Sequence, residues 1–299
     1  MKQEATPIVV QGLVPMCSRQ YDRFFNTTRI PGVETDTLLH LNDATHIVCM
    51  HKGRYFRLCV YNKGRLLNSA ELQKQIQGIL DDPSEPDEGE KHLAALTASD
   101  RKVWAETRNS YFNKGLNKTS LDIIERSAFV LVLDDYAYGY NDEDESQASH
   151  YGRMMLHGKC SDRWFDKSFQ LIVGNNGKMG LNGEHSWADA PVVAHFWEYL
   201  IAKDIVDGNC YDSEGNCVGR IMDVPPKARK LRWDIPESCK NTIDSCLKVS
   251  TFHLKILSQI LSQILSQICH NFGHKYCHLS YITLHFTKFV TFLGSSTFG

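Results

Sequence analysis

Apolar and polar positions follow two periods along the chain, one suited to strands and one to helices. His46 to Cys49 and Tyr55 to Tyr61 are apolar, β-branched or aromatic runs on either side of Lys52-Gly53-Arg54, which predicts a β-hairpin. Ser69 followed by Ala70 to Ile76 predicts a capped helix, with Leu72, Ile76 and Leu80 spaced along one face. Asp81 to Glu90 is acidic and proline-containing, and reads as a loop. Helical patterning resumes at Leu93-Ala94-Ala95-Leu96 and in Arg101 to Ser110, and Thr119 or Ser120 can cap a helix running into Ile123-Ile124. Ala128 to Leu133 is apolar throughout, as expected of a strand buried on both faces. Tyr140 to Gln147 reads as a second acidic loop. Ser168 to Val173 and Lys178 to Leu181 are predicted strands joined by an Asn175-Asn176-Gly177 turn. Asp189 to Ile205 carries a helical apolar pattern, with Pro191 tolerated in its first turn. The fold class is therefore α/β with a mixed sheet and flanking helices. No GxGxxG or GxxxxGK[ST] element follows a strand, so those nucleotide-binding folds receive no support.

The pattern changes near Lys248. From Val249 to Gly299 there is no Asp, Glu or Arg, while an Ile-Leu-Ser-Gln repeat spans Ile256 to Gln267. A four-residue repeat drifts by about 40° per repeat on a 3.6-residue helix, which suits a short amphipathic helix and not a long coiled coil. Cys269, His270, His274, Cys277 and His278 can be drawn as a metal cluster. The low complexity of the preceding repeat argues instead for translated non-coding sequence or a divergent splice end. The expected organisation is one partial domain over 1–248 and a low-complexity tail over 249–299 that stands apart from the fold.

Composition narrows the field further. The net charge of -2, with no long basic run, gives no support to nucleic-acid binding. Ten cysteines lie at irregular spacing with no CxxC pair, as expected of reduced thiols in a cytosol-like compartment. The sequons at Asn26 and Asn117 read as chance occurrences. The N-terminus lacks an apolar stretch of signal-peptide length, and no run of about 18 apolar residues predicts a membrane span.

Candidate chemistry concentrates in Gly180 to Pro191. Here a strand ends, a turn exposes Glu184-His185, and a helix begins near Asp189. An imidazole at such a junction can project into a cleft and exchange a proton near neutral pH. Asp189, four residues on, can orient the ring or favour the helix N-terminus electrostatically. HExxH is absent, so a zinc reading of His185 with His195 is weak, and no metal is expected. Arg163 and Asp166 read as a buried or interdomain pair beside Trp164 and Phe165. Trp187 and Trp197 read as core residues, and Asp134-Asp135 as solvated ends.

The stretch GLNGEHSWADAPVVAHFWEY, Gly180 to Tyr199, resembles the active-site signature of the choline/carnitine acyltransferase family, with its Glu-His pair and an acidic residue four positions later. It is similar to the mitochondrial outer-membrane, type 1 branch of the carnitine palmitoyltransferases. Further similar blocks are Val14 to Ser18, Phe25 to Gly32, Leu93 to Ala98, Arg163 to Phe169 and Leu231 to Pro236. The resemblance runs from about Val14 to about Cys246. Gly183 departs from it, since Ala or another side chain is commoner there.

That resemblance implies a chloramphenicol-acetyltransferase-like fold, incomplete here, with most of one of the two family domains present. It implies transfer of a long-chain acyl group between coenzyme A and carnitine, with His185 as general base and Asp189 in support; a helix-start role for Asp189 stays open. Coenzyme A enters as co-substrate, with no tightly bound cofactor expected. The family's later coenzyme A-contacting and carnitine-binding segments have no matching positions in this chain, so little activity is expected of it alone. The implied location is the cytosolic face of the mitochondrial outer membrane, through membrane spans this chain lacks. The rival expectations are a non-catalytic truncated isoform or a gene-model fragment acting, if at all, by association, and an acetyl or medium-chain preference.

Overall fold

The computed structural model describes residues 17–139, 145–207 and 210–252. The central element is a six-stranded mixed sheet. Its strands are β3 (His46–His51), β4 (Arg54–Cys59), β7 (Val130–Leu133), β8 (Phe169–Val173), β9 (Met179–Gly183) and β10 (Arg229–Lys230), in the order β10-β4-β3-β7-β8-β9. β3, β7 and β8 run parallel, and β4, β9 and β10 pair antiparallel to their neighbours. Two small ladders lie outside it: β1 (Thr27–Ile30) with β2 (Thr37–His40), and β5 (Tyr61–Asn62) with β6 (Arg65–Leu66). The α/β class with a mixed sheet and flanking helices is thus the observed one.

The strand pattern accounts for the two-sided burial. On β3, Val48 and Met50 enter one apolar cluster while Ile47 and Cys49 enter another; on β7, Val130 and Val132 oppose Leu131. Successive side chains point to opposite faces, so a strand covered on both sides must be apolar at every position. The first cluster packs Leu93 to Leu96, Trp104, Leu121 and Ile124 against the sheet, and the second receives Ile79. The β3–β4 hairpin closes through Lys52 and Gly53, both at positive φ (49° and 74°), as a two-residue turn matched to strand twist requires.

Helices flank this sheet: α1 (Ser18–Asp22), α2 (Ser69–Leu80), α3 (Arg101–Tyr111), α4 (Gly115–Glu125), α5 (Glu145–Leu156) and α6 (Ala190–Asp207), followed by α7 over 237–252. Glu90–Ala98, patterned as helix, is wound as a 3₁₀ helix. α2 is capped one residue earlier than expected, by Asn68 with Glu71 in a reciprocal capping box. Its buried face is Glu71, Gln75 and Ile79, whereas Leu80 is exposed. α4 begins at Gly115, so Thr119 lies inside it and donates its hydroxyl to Gly115 O at 3.0 Å. α5 begins within the stretch read as an acidic loop, of which residues 140–144 lie outside the described residues.

Other expectations meet the structure as follows. Trp187 and Trp197 are buried. Arg163 and Asp166 are buried too, but they are not each other's partners: Arg163 pairs with Asp134 and Asp162, and Asp166 with Arg101. Asp134 is therefore not a solvated end. Its side chain is 6% exposed, and it accepts from Tyr138 Oη at 2.6 Å and from Arg163 Nη2 at 3.0 Å. Burial opposes its ionisation, but the Tyr138 hydroxyl and the Arg163 guanidinium hold its carboxyl below the usual range. Among the described residues no helix is long and apolar enough to cross a membrane, and no group of three His, Cys, Asp or Glu side chains is placed to hold a metal. α7 runs past Lys248 to 252, with Ser250 buried and its hydroxyl 3.3 Å from Ala98 O. The Ile-Leu-Ser-Gln repeat, the His/Cys cluster of the tail and Val14 to Met16 lie outside the described residues.

Candidate active site

β9 delivers the chain to the site. It is an edge strand in register with β8, Gly183 opposite Phe169, and it ends where the 184–189 turn begins. Two donors fix that turn on one carbonyl: Glu184 N at 3.0 Å and Trp187 Nε1 at 2.8 Å both donate to Ser168 O. The Trp187 ring anchors a small aromatic cluster with Phe24, 4.9 Å between centroids. Burying the residue two places after His185 in this way leaves His185 itself at the surface, and it is exposed.

His185 lines an open cleft of about 480 Å³ together with Arg29, Arg101, His157, Asp166 and Asn182 among others. Asn182 Nδ2 donates to Met155 O at 3.0 Å, tying β9 to the end of α5 and forming one wall. No hydrogen bond among the described residues joins His185 to Asp189. The Asp189 carboxylate accepts from Gln20 Nε2 at 3.2 Å, and its backbone N–H donates to Gln20 Oε1 at 3.0 Å. Gln20 thus holds the start of α6 from outside it. His195 stands apart from His185, its Nδ1 2.6 Å from Tyr21 Oη.

A partly buried charge cluster, whose connection sequence patterning did not announce, lies under the turn. Arg29 Nη1 donates to Glu184 Oε1 at 2.9 Å and Arg29 Nε to Asp36 Oδ2 at 2.5 Å. Arg101 donates to Asp36 at 2.7 Å and to Asp166 at 2.6 Å. Burial pushes the Asp166 carboxyl up to about 6 in spite of Arg101 and the Trp104 indole N–H. Asp36 shifts the other way: burial opposes, but the Gly32 N–H and the two guanidiniums hold it below the usual carboxylate range. These groups come from four separate stretches of chain, so no single local spacing could announce the whole set. Arg29 lay within the Phe25 to Gly32 block, with no role attached.

A family model described as Choline/Carnitine o-acyltransferase matches residues 1–278. The chain belongs to the choline/carnitine O-acyltransferase family. It is 49% identical over 249 residues to the muscle isoform of carnitine O-palmitoyltransferase 1 of Bos taurus, covering 83% of this chain and 32% of that protein. The liver isoform of the Homo sapiens enzyme is 49% identical over 251 residues, again 83% of this chain and 32% of the relative. The Homo sapiens protein named carnitine O-palmitoyltransferase 2, mitochondrial, is 35% identical over 245 residues, 82% of this chain and 35% of the relative. The chain spans about a third of the length of these curated relatives. In this member of the family, His185 stands at the rim of the cleft.

Proposed function

We propose that the chain is the His-bearing part of a long-chain carnitine O-acyltransferase, with His185 as its general base. The observation that carries this reading is an exposed imidazole at the rim of a cleft, on the turn that follows an edge strand, in a chain of this family. His185 takes the proton from the carnitine hydroxyl as its oxygen attacks the thioester carbonyl. A C–O bond forms, the C–S bond breaks, and the proton passes from the imidazole to the departing coenzyme A sulfur. No acyl-enzyme is needed when both substrates are bound together. Proton removal concerted with attack avoids a free alkoxide, and such bases typically contribute about 10²- to 10⁴-fold. The tetrahedral intermediate needs donors at its oxyanion, and we place these with the carnitine pocket and most of the coenzyme A site outside this chain. Asp189 supports the start of α6, held by Gln20, and so supports His185 through the backbone.

The same reading assigns 1–248 to a partial catalytic domain and 249–299 to a divergent tail. It also assigns the activity to fatty acid metabolism at the cytosolic face of the mitochondrial outer membrane, by way of segments outside this chain. The names of the relatives, carnitine O-palmitoyltransferase 1 in muscle and liver isoforms, support the long-chain preference. The test is transfer to carnitine from palmitoyl-, octanoyl- and acetyl-CoA by the protein of the full-length transcript. Palmitoyl transfer should dominate and His185→Ala should lower it by about 10²- to 10⁴-fold. Robust transfer by the 299-residue chain alone would overturn the placement of the remaining catalytic groups outside it. For the tail, mass spectrometry of the native protein should lack peptides from 249–299.

A further inference from the structure

The turn that carries His185 is braced from within by charged side chains in series. Glu184 Oε2 accepts from Ser186 N at 2.9 Å and also from the Ser186 hydroxyl, so one carboxylate bridges the residues on either side of His185. Its other oxygen takes the Arg29 Nη1 donor at 2.9 Å. Arg29 Nε and Arg101 Nε then meet on a single oxygen, Asp36 Oδ2, at 2.5 and 2.7 Å. Arg101 Nη1 continues to Asp166 Oδ1 at 2.6 Å, and Asp166 Oδ2 accepts from Trp104 Nε1 at 2.7 Å. Trp104 is 1% exposed, so the series runs without a gap from the apolar core to the peptide beside the candidate base.

Asp166 is withdrawn from water and the other four groups are half-buried, so ordering them has a cost, and hydrophobic packing would hold an ordinary turn as well. The carboxylates outnumber the guanidiniums, so the cluster is poorly set to capture an anion. What it does supply is geometry. Glu184 fixes the φ/ψ of His185 from both sides, and small displacements of a catalytic group lower rates steeply. We propose that Arg29 is a positioning residue for His185, acting through Glu184, and that Asp36 and Arg101 hold Arg29 in place. This rests on His185 being the general base, and it adds the device that aims it.

The test is amide hydrogen exchange on this chain, with kinetics on the full-length enzyme. In Arg29→Met and Glu184→Gln the Ser186 amide loses its acceptor geometry and should exchange at least about 10-fold faster, while amides of β7 and β8 keep their protection, since local opening is separable from global unfolding. In the full-length enzyme the same variants should lower kcat at least about 10-fold with the carnitine KM within about twofold, the split expected when only transition-state geometry is lost. Gly32→Ala is a second variant that leaves every charge in place. A Cβ there would stand 1.9 Å from Thr35 O, so the loop that presents Asp36 must move. It should reproduce the Ser186 effect. Unchanged exchange at Ser186, or an equal loss of protection across β7 and β8, overturns the proposal. The exchange result decides the brace whether or not His185→Ala abolishes transfer, so the two readings fail separately.

Discussion

Position 183 carries only a hydrogen immediately before the Glu184-His185 pair. Its backbone is outside the left-handed region, and a Cβ would meet Val193 Cγ2 at 3.7 Å and Ser168 O at 3.9 Å, both ordinary contacts. Gly183→Ala should therefore raise stability by about 0.4–1 kcal/mol, by restricting the unfolded chain. Urea denaturation of the two proteins measures this, and a loss of stability would show that the turn needs glycine's freedom. Gly53 is the contrasting case: it sits at φ 74°, where a Cβ would lie 3.0 Å from Lys91 Cα. The setting of His185 was legible because it is contiguous, a strand end, a turn and a helix start within a dozen residues. Its neighbours were not. Gln20 meets Asp189 across 169 residues, and Arg29 meets Glu184 across 155. Spacing along the chain cannot report a contact set by how β1 docks beside the start of β8, where Thr28 bridges Lys167.

At the scale of elements, the sequence signals that held were those with a local physical cause. The β3–β4 hairpin and the β8–β9 pair follow from apolar runs around residues that tolerate positive φ. α2 follows from its cap, and Asn68→Ala should lower stability by about 0.5–2 kcal/mol. That substitution removes the acceptor for Glu71 N at 3.0 Å and a donor to Arg220 O at 2.8 Å. A shift of the urea midpoint at constant m-value is the readout, and an unmoved midpoint would show that the Arg65–Glu71 pair holds the helix start alone. Elements without such a cause were misjudged. α4 has no side-chain cap on Lys114, and its first residue, Gly115, takes φ 65°, so nothing marked its start. β1 and β2 are short and only partly buried, giving no clear alternation to read. Glu90–Ala98 is apolar enough to pass for an α-helix, and the choice of the tighter helix is made by packing against the sheet.

At the scale of the molecule, buried bases among the described residues, Lys167 and His46 foremost, link stability to pH. Lys167 is 1% exposed, with its ammonium donating to Glu125 O at 2.8 Å, and burial pushes its pKa down to about 7. The unfolded chain then binds more protons than the folded one from about 7 up to the ordinary lysine range, so unfolding free energy should rise with pH across that window. Burial brings His46 down to about 4, which adds a second loss of stability as pH falls below the ordinary histidine value. Thermal melts at a series of pH values should show the rise from about 7 towards 9, above which the buried thiols Cys49, Cys160, Cys239 and Cys246, raised by burial, contribute the opposite slope, and Lys167→Met should flatten the rise whatever its effect on absolute stability. A slope that survives the substitution would assign the linkage to another group.

The charge cluster beneath the His185 turn has a consequence for how the protein comes to be. Its members stand at positions 29, 36, 101, 166 and 184, so its longest contact closes across 155 residues of chain. Contacts of such separation form late, after loop-closure entropy has been met. During synthesis the arginine at 29 can meet Asp36 at once, but its second carboxylate arrives only when residue 184 has emerged. A polypeptide shortened to start after β2 would keep the imidazole and lose Arg29 and Asp36 from beneath its turn.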